Sequence, residues 1–236
     1  IFRSHEDAAM HLEAGARKVI ISAPPRGDTP VTQLVYGVNH DSYAGEDVVS
    51  NASCTTNSVT PIAQVLDATF GIDHGMLTTV HAYTGSQQLL DGPMAKPRRG
   101  RAAAENILPT TTGAAAAATV ILPQLAGKLD GMAIRVPVPN GSLTELVVTL
   151  NASPTVEAVN DAFRAAAAEG PLAGVLGVTD DPLVSSDIQG MPYSSIVDLA
   201  STNRVGAGAM YKVLTWYDNE FGFSNRMLDM ARFITA

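Results

Sequence analysis

Short β-branched runs alternate with helix-forming stretches at the start of this chain, and that alternation restricts the fold more than any other feature. "HEDAAMHLEAGA" (5–16) has helical propensity, with Ala9, Leu12 and Ala16 on one face and Gly15 as its stop. "RKVIISA" (17–23), "VTQLVYGVNH" (31–40) and "EDVVSNAS" (46–53) are strand-like runs broken by "PPRGDTP" and other turn signals. A helix feeding short apolar strands predicts the end of a parallel α/β unit. After Cys54, Ile62, Val65, Leu66 and Phe70 recur at helical spacing, so a helix is expected to about Phe70, closed by Gly71. Pro61 inside it predicts a kink or a late start.

The rest of the chain reads as a second, less regular arrangement. "HGMLTTVHAYT" (74–84) predicts a strand, and the Gly-, Pro- and Arg-rich stretch 85–109 an extended functional loop. "TTGAAAAATVILPQL" (111–125) predicts a helix behind a Thr cap, and 131–152 two strands around an Asn140-Gly141 turn. A helix is expected from about Thr155 to Ala168, strand material over 203–220, and an amphipathic terminal helix over 224–235.

Composition excludes several classes. With 46% hydrophobic and 16% charged residues the chain can bury a core and is not disordered. A net charge of −8 disfavours sequence-independent binding to nucleic acid or anionic membrane, so neither is an expected partner. No run approaches the ~18 apolar residues of a membrane span, and no signal peptide is legible. One cysteine cannot form an internal disulfide, so a reducing, cytoplasmic setting is expected, and the Asn51–Ser53 glycosylation match is a coincidence. The opening residues, without Met and already within a helix–strand unit, predict a fragment starting in mid-fold.

That one cysteine stands in "SNASCTTNSVTP" (50–61). A free cysteine is most often a small buried hydrophobe, but Ser53, Thr55, Thr56 and Asn57 are poor company for a core thiol. They are good company for a helix start, whose partial positive charge lowers a thiol's pKa. A nucleophile needs a base. Of His5, His11, His40, His74 and His81, only His81 lies among hydroxyls at an expected strand end, in "TTVHAYT". The histidines are too scattered for a zinc site, and no metal is expected.

The blocks "SNASCTTN", "TTVHAYT", "GRAAAENILPTTTGAA", "GMAIRVPVP" and "WYDNEFGFSNRM" follow in order and in register over nearly the whole chain. Together they resemble phosphorylating glyceraldehyde-3-phosphate dehydrogenase, with wording nearest archaeal or bacterial forms. The resemblance implies an α/β fold: the C-terminal part of a Rossmann-type domain, then an α+β catalytic domain with a mixed, mainly antiparallel sheet. Its expected boundaries are 1–53 for the nucleotide-domain remnant, 54–221 for the catalytic domain and 222–236 for a helix returning to the nucleotide domain. It implies Cys54 as nucleophile and His81 as base, in oxidation of glyceraldehyde 3-phosphate to 1,3-bisphosphoglycerate with NAD or NADP and inorganic phosphate. Thr84, Arg135 and Arg99 match the substrate-phosphate site. Ser53, Thr55, Thr112 and Gly113 match the inorganic-phosphate site. Ser22 and Asn219 match dinucleotide contacts, and the intact protein is expected to be a homotetramer.

The chain also departs from that pattern. No G-x-G-x-x-G follows a first strand, so the pyrophosphate-binding turn and the acidic residue that selects between NAD and NADP are missing, as an N-terminal truncation predicts. Ser58 stands where many relatives have a second cysteine, Ala116 for a common lysine, Phe223 for a common tyrosine, and Ser86 for the usual threonine or aspartate. The rival readings are a related dehydrogenase of erythrose 4-phosphate, a catalytically inactive binding fragment, and a cofactor-free thiol esterase. Taken without the other blocks, Arg135 reads as a partnered structural arginine. The basic group Lys96, Arg98, Arg99 and Arg101 likewise reads as a solvated or nucleic-acid-binding loop.

Overall fold

The computed structural model describes residues 2–236. Two sheets organise it. The smaller has β1 (Val19–Ile21), β2 (Thr32–Gln33) and β3 (Val48–Ser50) in the order β1-β3-β2, all parallel, behind the helix α1 (His5–Glu13). Ser4 caps α1 by accepting a hydrogen bond from the Asp7 amide. The β2 strand is far shorter than the run 31–40 predicts, because Gly37, at φ +82°, turns the chain into the short 3-10 turn His40–Ser42.

Helix α2 (Cys54–Phe70), which begins at the candidate nucleophile, follows shortly after β3, and β4 (Ile72–Ala82) runs from Gly71 past the candidate base. Helix α2 starts at Cys54 and continues through Pro61, so the proline does not delay it. It only deprives the Asn57 carbonyl of an amide four residues on. Beyond β4 come β5 (Leu108–Thr111), α3 (Ala114–Ile121), β6 (Leu129–Val136), β7 (Ser142–Leu150), α4 (Val156–Ala168), β8 (Leu176–Thr179), β9 (Ser195–Asp198), β10 (Asn203–Arg204), β11 (Met210–Tyr217) and α5 (Phe221–Thr235). The larger sheet has the order β5-β6-β4-β7-β11-β9-β8, with β10 paired to β11. It is mixed and mainly antiparallel, with β4–β6 and β8–β9 as its parallel pairs.

Three sequence expectations need correction. Helix α3 is confined to Ala114–Ile121, since Pro123 disfavours helical backbone at Leu122 and the hydroxyl-rich start belongs to β5. The stretch 85–109 is not wholly irregular: Gln88 and Gly92 amides bond to the Arg99 and Gly100 carbonyls, and its end forms β5. The strands around Asn140-Gly141 are no hairpin. β6 and β7 lie on either side of β4, and the intervening turn crosses the end of β4. That crossing matters, because it puts Gly141 and Ser142 beside His81.

One face of the larger sheet carries the core. Leu77, Leu146, Val148 and Leu150 pack against Ile62 and Leu66 of α2, with Ala118 of α3 and Phe163 of α4. The α2 residues have the helical spacing that the sequence shows, and this burial is the main force fixing the helix on the sheet. On α5, Met230 and Ile234 pack on Leu34 and Val49 of the smaller sheet, and Phe233 lies edge-on to His40.

Candidate active site

The turn into α2 is built to present Cys54. Ala52 has φ +55°, a left-handed conformation uncommon for a residue with a side chain, and it is fully buried. Asn57 braces this turn: its Nδ2 donates to the carbonyls of Asn51 (2.8 Å) and Ser53 (3.0 Å). The Ser53 hydroxyl caps the helix by accepting from the Thr56 amide at 3.0 Å. The polar residues around the thiol therefore hold a strained corner and leave the first amides of α2 free toward the site.

His81 meets the sulfur. Its Nε2 lies 3.4 Å from Cys54 Sγ, although the two residues come from a helix start and a strand end. The ring is nearly enclosed, and Tyr217 packs edge-on to it with centroids 5.9 Å apart. The Tyr217 hydroxyl is 2.8 Å from Thr79 Oγ1 and 3.0 Å from Thr55 Oγ1, so the Thr55 side chain faces the interior. Burial pushes the Tyr217 phenol upward, leaving it a neutral hydrogen-bonding group.

Burial works against a preformed thiolate. Withdrawal from water pushes the Cys54 thiol up. A Thr55 hydrogen bond and the Arg135 charge act in the opposite direction without prevailing. Burial, reinforced by Arg135, lowers the His81 imidazole to about 4. Both shifts favour the neutral pair of thiol and imidazole over the ion pair.

Arg135, on β6, is the register neighbour of His81. Its Nη1 donates to the Ala82 carbonyl at 2.6 Å, lies 2.7 Å from His81 Nδ1, and reaches Thr84 Oγ1 at 3.5 Å. No carboxylate forms an ion pair with it among the described residues, and its Nε is buried without a partner. The partners of Arg135 are all neutral groups: the Ala82 carbonyl, His81 and Thr84. Arg99 is close enough for its charge to act on Arg135, and its Nε donates to Thr110 Oγ1 at 3.3 Å. Cys54, His81, Arg135, Thr84 and Arg99 thus form one contiguous cluster.

The other residues singled out in the sequence stand on separate elements. Thr112 and Gly113 stand at the start of α3, where Thr112 Oγ1 accepts from the Ala114 amide at 3.1 Å. Ser22 is exposed at the carboxyl end of β1, the side of a parallel sheet on which ligands bind. Asn219, between β11 and α5, is buried. Its Oδ1 accepts from the Gly141 amide (3.2 Å) and Ser142 Oγ (2.7 Å), while Ser142 Oγ accepts from the Ala82 amide (3.1 Å). Sequence reasoning missed Ser142, Thr79 and Tyr217, and also Asn51, whose buried side-chain amide has no partner. The spacing Tyr217–Asn219 in "WYDNE" was the only available signal for Tyr217.

A cavity of about 690 Å³ is lined by Lys96, Arg98, Arg99, Thr111 and Met132 and does not include Cys54. Reactive chemistry, and not concavity, locates the site. Among the described residues no cluster of metal-ligating side chains occurs, and no helix is long and apolar enough to cross a membrane.

Comparison with known proteins shows the family. The family profile "Glyceraldehyde 3-phosphate dehydrogenase, C-terminal domain" matches residues 53–219. The chain is 72% identical over 235 residues to glyceraldehyde-3-phosphate dehydrogenase of Haloarcula vallismortis, covering 100% of this chain and 69% of that protein. It is 56% identical to glyceraldehyde-3-phosphate dehydrogenase 1 of Bacillus subtilis (99% and 69% covered). With the Streptomyces coelicolor glyceraldehyde-3-phosphate dehydrogenase the identity is 55%, at the same coverage.

Proposed function

The chain belongs to the glyceraldehyde-3-phosphate dehydrogenase family, a family of oxidoreductases, and from that premise we propose that it serves the phosphorylating oxidation of glyceraldehyde 3-phosphate to 1,3-bisphosphoglycerate. The observation that carries this reading is the 3.4 Å contact between Cys54 Sγ and His81 Nε2 beside an arginine with no carboxylate partner. Cys54 adds to the aldehyde carbon while its proton passes to Nε2. Because both shifts favour the neutral pair, this transfer accompanies bond formation and does not precede it. The free amides at the start of α2 stabilise the oxygen as it gains charge. Loss of hydride leaves a thioester on Cys54. Inorganic phosphate then attacks, the S–C bond breaks, and the sulfur recovers a proton from His81.

NAD or NADP supplies the hydride acceptor when bound. The residues present fit such a group: Asn219 has its Oδ1 committed twice within the protein and only its Nδ2 to offer, and Ser22 is exposed at a parallel strand end. Arg135, Thr84 and Arg99 hold the substrate phosphate, and Ser53, Thr55, Thr112 and Gly113 the inorganic phosphate, Thr55 through its amide because its hydroxyl is bonded to Tyr217. Product analysis with and without phosphate tests the reaction. Acyl phosphate that requires phosphate, and is lost in Cys54→Ser, is expected; acid formation independent of phosphate overturns it. Arg135→Ala is expected to raise the KM for the phosphorylated aldehyde far more than for an unphosphorylated analogue.

Self-association is part of the same proposal. The sheet face opposite the helices carries exposed Met76, Met132 and Met210, with half-buried Val147 between them, and suits a further copy of the chain.

A further inference from the structure

Arg135 does more than offer a charge to an anion. Its Nη1, His81 Nδ1 and the Ala82 carbonyl oxygen form a closed triangle with sides of 2.7, 2.7 and 2.6 Å. A guanidinium can only donate and a carbonyl can only accept, whereas Nδ1 does either, depending on tautomer. If Nδ1 accepts from Arg135, the ring proton sits on Nε2 and points at Cys54, and the base is blocked. If Nδ1–H donates to Ala82, Nε2 is bare and able to take the thiol proton. Two donors then converge on one oxygen at close range, a repulsive contact while Arg135 stays in place.

We propose that Arg135 sets the tautomer of His81, and that a phosphate group bound by Arg135 releases the bare Nε2. The proposal rests on the reading that Arg135 holds the substrate phosphate. With its Nε unpartnered and no carboxylate beside it, the guanidinium gains strong charge-assisted bonds by turning toward an anion. Withdrawal of Nη1 leaves the Ala82 carbonyl to Nδ1–H. The exchange moves no net proton: Nε2 gives one to water and Nδ1 takes one. A phosphorylated substrate thereby arms the base it needs, and an unphosphorylated aldehyde loses rate as well as affinity.

The test is nitrogen NMR on ¹⁵N-histidine-labelled full chain near neutral pH, with the His81 signals identified by their loss in His81→Asn. The probes are inorganic phosphate and glycerol 3-phosphate, whose binding is followed independently by phosphorus NMR. Without anion the Nε2–H tautomer is expected, and at saturation Nδ1–H. Arg135→Gln is expected to show Nδ1–H with or without anion; Arg135→Met serves if that variant does not fold. Anion binding with no change of tautomer overturns the proposal and leaves the phosphate reading standing. Absence of anion binding rejects the phosphate reading. The tautomer in the Arg135 variants then decides, and one unchanged from wild type overturns the proposal.

Discussion

At Cys54 and His81, burial and hydrogen bonding act against each other, and burial prevails on both ionisations. A folded imidazole at about 4, against 6.5 when unperturbed, binds fewer protons than the unfolded chain at mildly acidic pH. Its contribution to stability is complete above the unfolded value and is lost as pH falls through the folded one. The shift corresponds to about 3 kcal/mol. Urea unfolding between about pH 6.5 and 4 is expected to show stability falling with acidity, and His81→Asn to flatten that slope.

Elements position these groups by where they end. Helix α2 begins at Cys54, β4 ends one residue past His81, and the chain crossing from β6 to β7 brings Ser142 against the Ala82 amide. Ser142 is 1% exposed, and its hydroxyl satisfies Ala82 on one side and Asn219 on the other. Ser142→Ala leaves both groups short of a partner in a dry site. It is expected to cost about 1–3 kcal/mol in denaturant unfolding, with Ser142→Thr recovering part of it. A variant as stable as wild type would mean that water or a backbone shift replaces the hydroxyl.

For the molecule as a whole, the helices cover one face of the larger sheet and leave the other bare. Met76 and Met132 are 56% and 39% exposed there, on adjacent strands. Sedimentation is expected to show an assembly larger than the monomer, and paired Met76→Lys and Met132→Lys substitutions to shift it toward monomer by placing charges in a buried apolar contact. A monomer at all concentrations would reject self-association through this face.

The sequence by itself determined the local features. Apolar spacing over Ile62–Phe70 set the buried face of α2, Ser53 set its start, and the Cys54 and His81 blocks named the candidate reacting groups. Such features depend on residues a few positions apart, where backbone geometry alone dictates neighbours. Only the tertiary structure decided that β4 separates β6 from β7, that Ser142 and Tyr217 support the site, and that Arg135 touches His81. Burial at the site also works against the expected thiolate. Strand order, burial and the resulting pKa shifts arise from residues distant in the chain, and no local pattern carries that information.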